Sequence, residues 1–275
     1  MSVGMKLKCC VTVAGSDSGG GAGIQADLKV FSAFGVYGAS VVTAVTAQNT
    51  LGVRAVEEVS PGMVGAQLRA VLEDLGADAV KVGMVSSAGA IEAIASALES
   101  LSHGPVVLDP LMVSKNGVRL LREEAQSVLV GRLFPLARLV TPNVPEAECL
   151  AGMRIASRED MVCASEALLG LGAQAVLVKG GHLGGESSDD LLNDGGRLHW
   201  LSGERLEARH THGTGCTLSS AIAAQLALGV PLPVACASAK AYVRRAMSSG
   251  LSLGGGCGPL HHFVDWYGGK NGGAD

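Results

Sequence analysis

The chain has 275 residues, 48% of them apolar and 17% charged, and its 21 basic and 25 acidic side chains leave a formal net charge of -4. That balance, with no long basic run, excludes the electrostatic footprint of a nucleic-acid binder, and two Trp, three Tyr and four Phe are too few for a base-stacking platform. Seven cysteines, at positions 9, 10, 149, 163, 216, 236 and 257, make neither CxxC pairs nor a secretory framework and read as reduced thiols of a soluble, cytoplasmic protein.

The first ten residues carry lysines but no apolar run long enough for a leader, and nowhere do about eighteen apolar residues follow one another. Residues 9–14, Cys-Cys-Val-Thr-Val-Ala, predict a short strand that Gly15-Ser16-Asp17-Ser18-Gly19-Gly20-Gly21-Ala22-Gly23 breaks. Ile24, Leu28, Phe31 and Phe34 then recur at helical spacing, giving strand, glycine loop and helix. A loop so rich in glycine lets a ligand approach the backbone closely. A Walker loop is excluded, because Gly23-Ile24-Gln25 stands where Gly-Lys-Ser/Thr is required. A dinucleotide fingerprint is met formally by Gly21, Gly23 and Ala26, yet residues 41–49 lack the carboxylate that would hold the ribose. Asp27 has two readings, a complement to the helix dipole or a group facing a polar ligand.

A β-branched run over 39–47 ends in Gln48-Asn49-Thr50. Gln48 there suits a bidentate hydrogen bond to a heterocycle, although an exposed turn amide reads the same in sequence. Residues 54–59 predict a strand, Ser60-Pro61 a helix start, and 63–75 a helix. A buried strand over 79–83 with Met84 beyond it, a helix over 87–101 and a strand over 105–109 continue the alternation. The βαβαβ pattern predicts a parallel sheet covered by helices, with ligands beyond the carboxyl ends of its strands.

Strand-terminating residues therefore carry the functional expectation. They are Asp109, Asn143 with Glu146, and Lys179, each of which is also an ordinary cap or turn residue. His212-Gly213-Thr214-Gly215-Cys216 follows and runs straight into an Ala- and Leu-rich helical pattern. This stretch is either a flexible turn capped by Thr214 or Thr217, with a small buried Cys, or an anion hole built from free helix N-terminal amides. In the second reading the helix terminus brings the Cys216 thiol down from about 8.5 toward neutrality, where a general base works. Two carboxylates, an amide, an ammonium and an anion hole on one rim make an inventory for phosphoryl transfer. One domain over 1–265 is expected, followed by a flexible tail over 266–275 that is rich in glycine.

Eight motifs carry a resemblance over nearly the whole chain: residues 14–29, Thr46-Ala47-Gln48-Asn49-Thr50, Lys81-Val82-Gly83-Met84, Leu108-Asp109-Pro110, residues 141–147, Lys179-Gly180-Gly181-His182, residues 212–217 and residues 256–263. In them the chain resembles the ribokinase-like superfamily and, within it, the hydroxymethylpyrimidine/phosphomethylpyrimidine kinases of thiamine biosynthesis. Most of the superfamily ends its anion-hole motif in Asp, whereas this branch has Cys, as at Cys216. The resemblance implies a three-layer α/β fold, with a mostly parallel central sheet flanked by helices, and a homodimer.

It also implies that ATP phosphorylates 4-amino-5-hydroxymethyl-2-methylpyrimidine and then its monophosphate. By resemblance Gln48 pairs with the aminopyrimidine, while Ala22, Asp27 and Met84 surround it. Asp109 and Glu146 serve magnesium, and Asn143, Lys179 and Thr214 serve the nucleotide phosphates. Gly213, Thr214, Gly215 and Cys216 form the anion hole, with Cys216 as base. The first loop departs from many members in having Asp17-Ser18-Gly19 for Asp-Pro-Ser, and a flexible flap is expected over 184–188. A pyridoxal or pyridoxine kinase using the same site, and a pyrimidine-binding module without catalysis, are the rival readings.

Overall fold

The computed structural model describes residues 7–113, 120–185, 187–206 and 211–267. The first strand, β1 (Cys9–Asp17), is buried along nearly its whole length, as a central strand with helices on both faces must be. It pairs in parallel with β2 (Tyr37–Asn49) on one side and β4 (Ala79–Val82) on the other. β3 (Gly52–Glu58) lies antiparallel at the outer edge of β2. From β4 the sheet continues in parallel through β5 (Val106–Leu108), β6 (Ala137–Val140) and β7 (Ala175–Val178). It ends in an antiparallel hairpin, β8 (Asp190–Asp194) and β9 (Arg197–Leu201). The order is β3-β2-β1-β4-β5-β6-β7-β8-β9, so the direction of growth reverses at β1, and the rule for such sheets puts the ligand beyond its carboxyl end.

Alternation along the strands feeds two separate cores. Val80 and Val82 of β4 pack into the core under α2 (Pro61–Asp74), α3 (Ala88–Ser100), α4 (Glu123–Leu133), α5 (Val144–Ala151) and α6 (Arg158–Gly170). Ala79 turns to the opposite face, covered by α1 (Gly23–Ala33), α7 (Thr214–Ala227) and α8 (Leu232–Ser248). From Thr217 onward α7 is buried almost all round, which accounts for its run of small residues and for the absence of a polar stripe in its sequence.

Ser60 accepts a hydrogen bond from the Met63 amide with Pro61 in the first turn, the helix start expected from Ser-Pro. Helices α4, α5, α6 and α8, the β8–β9 hairpin and a short C-terminal helix lie outside the sequence reading. The β8–β9 hairpin closes on Gly195 and Gly196, both at positive φ, which suits a two-residue turn. The short helix, α9 (Val264–Tyr267), crosses the expected domain boundary at 265. Of the expected tail, residues 268–275 lie outside the described residues, as does residue 186 of the expected flap. Among the described residues no helix is long and apolar enough to cross a membrane, and the cysteines form no disulfide.

His262 fastens the C-terminal segment to α7. It is buried, its ring Nε2 lies 3.1 Å from Thr217 Oγ1, and its carbonyl accepts from the Tyr242 hydroxyl. Burial, followed by the charges of Lys29, His261 and His212, holds its pKa down to about 4. The unfolded chain takes up a proton near 6.5 that the folded chain refuses, so this stability is complete above pH 6.5 and is lost as pH falls toward 4. We expect about 3 kcal/mol of unfolding free energy to disappear over that window. His262→Gln should flatten this part of the profile in urea titrations run at each pH.

Candidate active site

The loop leaving β1 is organised by the carboxylate of Asp17. Oδ1 accepts from the Gly19 amide (2.8 Å), and Oδ2 accepts from the amides of Gly21 (3.1 Å) and Ala22 (2.8 Å). His212 Nε2 reaches the same Oδ2 at 3.0 Å and thereby draws the loop to the start of α7. The contact is close. A Cβ on Gly213 would lie 1.9 Å from the Gly21 carbonyl oxygen, and Gly213 has φ +82°, so only glycine fits on both counts.

Gly213 is the N-cap of α7 and, among the described residues, no side chain caps the helix. Thr214 Oγ1 turns away to donate to the Thr211 carbonyl (2.8 Å), and Thr217 is engaged with His262. Neither threonine is the cap that a flexible-turn reading requires. The first-turn amides of Thr214, Gly215 and Cys216 are therefore left for an anion, in the field of a helix N-terminus.

The carboxylate rim meets this terminus directly: a Cβ on Gly215 would sit 3.2 Å from Asp109 Oδ2 and 3.5 Å from Lys179 Nζ. Asp109 follows β5, and its Oδ1 accepts from Thr141 Oγ1 (3.1 Å) and from Lys179 Nζ (3.1 Å). Lys179 Nζ is 4.0 Å from Glu146 Oε2. Asn143 and Glu146 form a capping box at the start of α5, in which Asn143 Oδ1 accepts from the Glu146 amide and Glu146 Oε2 from the Asn143 amide. Burial raises Glu146 to about 7, with Lys179 opposing and Asp109 reinforcing the shift. Burial works against the charge on Lys179, but Asp109 and Glu146 hold its pKa above the ordinary value. Among the described residues no group of three or more His, Cys, Asp or Glu is gathered to hold a metal. Two carboxylates suit magnesium nonetheless, which keeps several waters and takes its other ligands from substrate phosphates.

Cys216 is half-buried and its sulfur accepts from the Gly23 amide at the start of α1. The expected descent toward neutrality is not what the structure shows. Burial pushes the thiol up to about 11; Lys81 lowers it, Asp27 and Asp109 raise it, and the Gly23 amide lowers it.

Asp27 also departs from expectation. It lies beyond the first turn of α1 and is fully buried. Its Oδ2 accepts from Thr12 Oγ1 (2.6 Å) and Lys81 Nζ (2.8 Å), and its Oδ1 from Ser220 Oγ (2.6 Å). The dipole reading does not hold, since Asp27 is not in the first turn; its carboxylate is a buried tie between β1, β4, α1 and α7. Ala22 commits its amide to Asp17, leaving its methyl group rather than its N–H for a ligand. Met84 is half-buried with its thioether against Gly15, and Gln48 is half-buried beside His212.

Asp17, Lys81 and His212 carry this site although none was assigned a role from sequence. Lys81 does leave a signal, a charged residue inside the apolar run Ala79-Val80-Lys81-Val82, where a buried cation demands a partner. The partners of Asp17 and His212 are 195 positions apart in sequence and leave no comparable signal.

Comparison with known proteins places the chain in a family. The family described as phosphomethylpyrimidine kinase matches residues 17–261. The chain is 55% identical over 260 residues to a hydroxymethylpyrimidine/phosphomethylpyrimidine kinase of Rhizobium meliloti, covering 94% of this chain and 97% of the relative. It is 52% identical over 254 residues to the thiamine biosynthesis bifunctional protein ThiED of Geobacter sulfurreducens, covering 92% of this chain and 52% of that longer protein. Among solved structures it resembles an ADP complex of Bacillus subtilis pyridoxal kinase with a TM-score of 0.87 and 37% identity, over 94% of this chain and 98% of that one.

The buried tie makes a stability test. Asp27→Asn leaves the Lys81 ammonium unpaired in the core and is expected to cost about 3–5 kcal/mol of unfolding free energy. The double change Asp27→Asn/Lys81→Met removes both charges and should recover most of that loss in urea unfolding.

Proposed function

The chain belongs to the phosphomethylpyrimidine kinase family, and from that premise we infer that the rim built by α7, Asp109 and Lys179 transfers the γ-phosphoryl group of ATP. It is a kinase of thiamine biosynthesis, acting on hydroxymethylpyrimidine and then on its phosphate. The observation that carries the site assignment is the meeting of an uncapped helix terminus with a carboxylate–ammonium rim at Gly215.

Each side chain takes a role its chemistry suits. The amides of Gly213 to Cys216 receive the γ-phosphoryl oxygens as the bond to the leaving oxygen loosens. Lys179 neutralises phosphate charge, and Asn143 and Thr214 line the same region. Asp109 and Glu146 would hold magnesium, which when bound offsets the charge of the phosphates. Gln48 grips the edge of the aminopyrimidine, with Met84 and the Ala22 methyl group against the ring. Asp27 acts from behind, by fixing α1 against α7. In the first transfer the thiolate form of Cys216, its own proton already released to solvent, takes the hydroxyl proton as the hydroxymethyl oxygen attacks the γ-phosphorus and ADP leaves. A cytoplasmic homodimer suits this reading, since pairing would cover the exposed apolar side chains Tyr37, Val45 and Val56 on β2 and β3.

The structural likeness to a pyridoxal kinase supports a second substrate, a pyridine bearing a similar hydroxymethyl group. Product analysis with ATP, magnesium and either alcohol separates the two. Conversion of the aminopyrimidine to mono- and then diphosphate is expected, and rapid turnover of pyridoxal with none of the aminopyrimidine would overturn the assignment.

The base role has its own readout. A thiol raised to about 11 must first lose its proton, so kcat for the alcohol should climb with pH across the neutral and mildly alkaline range. Cys216→Ala should lower that kcat by about 10²- to 10⁴-fold with little change in pyrimidine KM. Cys216→Asp should retain part of the activity and lose the alkaline climb. The second acceptor is a phosphate monoester, ionised above a second pKa of about 6 and needing no base. Cys216→Ala should therefore spare the second step relative to the first.

A further inference from the structure

Gln48 stands at a β-bulge, where the pairing of β2 with β3 shifts register between Ala47 and Gln48. Bulges re-aim side chains, and this one is held from both sides. The Gln48 main chain is clasped by Ser18, whose hydroxyl donates to the Gln48 carbonyl (2.7 Å) and accepts from the Gln48 amide (2.8 Å). As placed, its side-chain Nε2 lies 3.1 Å from His212 Nε2 and its Oε1 lies 3.3 Å from Thr46 Oγ1.

Amide oxygen and nitrogen have nearly the same shape, so their neighbours decide which end is which. Asp17 is acceptor-only, because the His212 hydrogen bond and the Gly19 and Ala22 amides overcome burial and hold its carboxyl below the usual range. His212 Nε2, 3.0 Å from Asp17 Oδ2, must then carry its proton. An N–H cannot accept from the Gln48 NH2, so the amide oxygen must be the atom that faces His212. The other end gives the same answer. Thr46 has one hydroxyl proton, which it donates to the Ser16 carbonyl (2.9 Å), so toward Gln48 it can only accept, and from Nε2.

With Oε1 shared with His212 and Nε2 with Thr46, Gln48 keeps one lone pair and one N–H for a ligand, in a fixed left-to-right order. An aminopyrimidine edge presents the complement: a ring nitrogen that accepts beside an amino group that donates. The order matters because the hydroxymethyl arm must point to the anion hole. We propose that His212, charged by Asp17 with the donor role, is a positioning residue that locks the Gln48 amide in the polarity that selects an amidine-like ring edge. The proposal rests on the reading that Gln48 grips the substrate ring.

A double-mutant cycle on steady-state KM tests it, with the aminopyrimidine alcohol as varied substrate. Gln48→Ala is measured first and is expected to raise KM about 10- to 100-fold. His212→Ala and His212→Asn, the latter polar but too short to reach Gln48, should each raise KM about tenfold with ATP KM unchanged, and should add less than about twofold in the Gln48→Ala background. His212→Gln places an NH2 near the former ring Nε2 and should restore most of the wild-type KM. An equal rise in both backgrounds, or a His212→Gln as impaired as His212→Asn, overturns the proposal. An unchanged KM in Gln48→Ala alone overturns the underlying assignment of Gln48, and is read before His212 is altered.

Discussion

The geometry of the site depends on one buried carboxylate. Asp27 accepts from Thr12 of β1, Lys81 of β4 and Ser220 of α7 while belonging to α1, so two strands and two helices meet on a single group at the point where strand order reverses. Cys216 lies one turn before Ser220 on the same face of α7, so this tie sets the height and rotation of the helix whose first turn receives the phosphoryl group. A purely apolar contact tolerates small slides, whereas three hydrogen bonds to one carboxylate in a dry core do not. Charge neutrality between Asp27 and Lys81 makes that rigidity tolerable in the low-dielectric interior.

The same tie bears on the state of the proposed base. Lys81 is the strongest charge favouring a thiolate at Cys216, yet Asp27 and Asp109 oppose it and burial outweighs it. The resting sulfur thus keeps its proton. A resting thiolate beside Asp109 would add negative charge in the place a triphosphate must enter, and the first-turn amides would be drawn to it rather than to the incoming oxygens. Leaving the terminus uncapped and the thiol neutral preserves its positive field for the substrate.

The architecture was legible because it is written in local patterns. The apolar run at 79–83, the Ser60-Pro61 start and the glycine loops each act over a few residues, and all of them appear in place. Asn143-x-x-Glu146 shows how a functional reading and a structural one coincide, since the capping box fixes the direction in which the Glu146 carboxylate faces Lys179. What escaped was long-range. Asp27 resembles a first-turn acid in sequence, and its partners at 81 and 220 declare themselves only when β4 and α7 are folded onto α1. The thiol at 216 obeys the helix-terminus rule in sequence and a stronger burial effect in space, so the sign of its shift required the surrounding charges.

Recognition and chemistry share a peptide bond. His212 belongs to the substrate side through Asp17 and Gln48, and Gly213 belongs to the phosphoryl side as the cap of α7. Gly213 also presses on Gly21 so closely that neither loop can move without the other. A displacement of the β1 loop large enough to release the ring edge would therefore tilt the first amides of α7 away from the γ-phosphoryl position. Binding energy gathered at a remote ring edge is in this way converted into alignment at the reacting phosphorus, which is how an enzyme uses contacts that take no part in bond making. A glycine pair at the crossing serves that purpose better than a bulky contact, because backbone against backbone has no rotamer through which the alignment can relax.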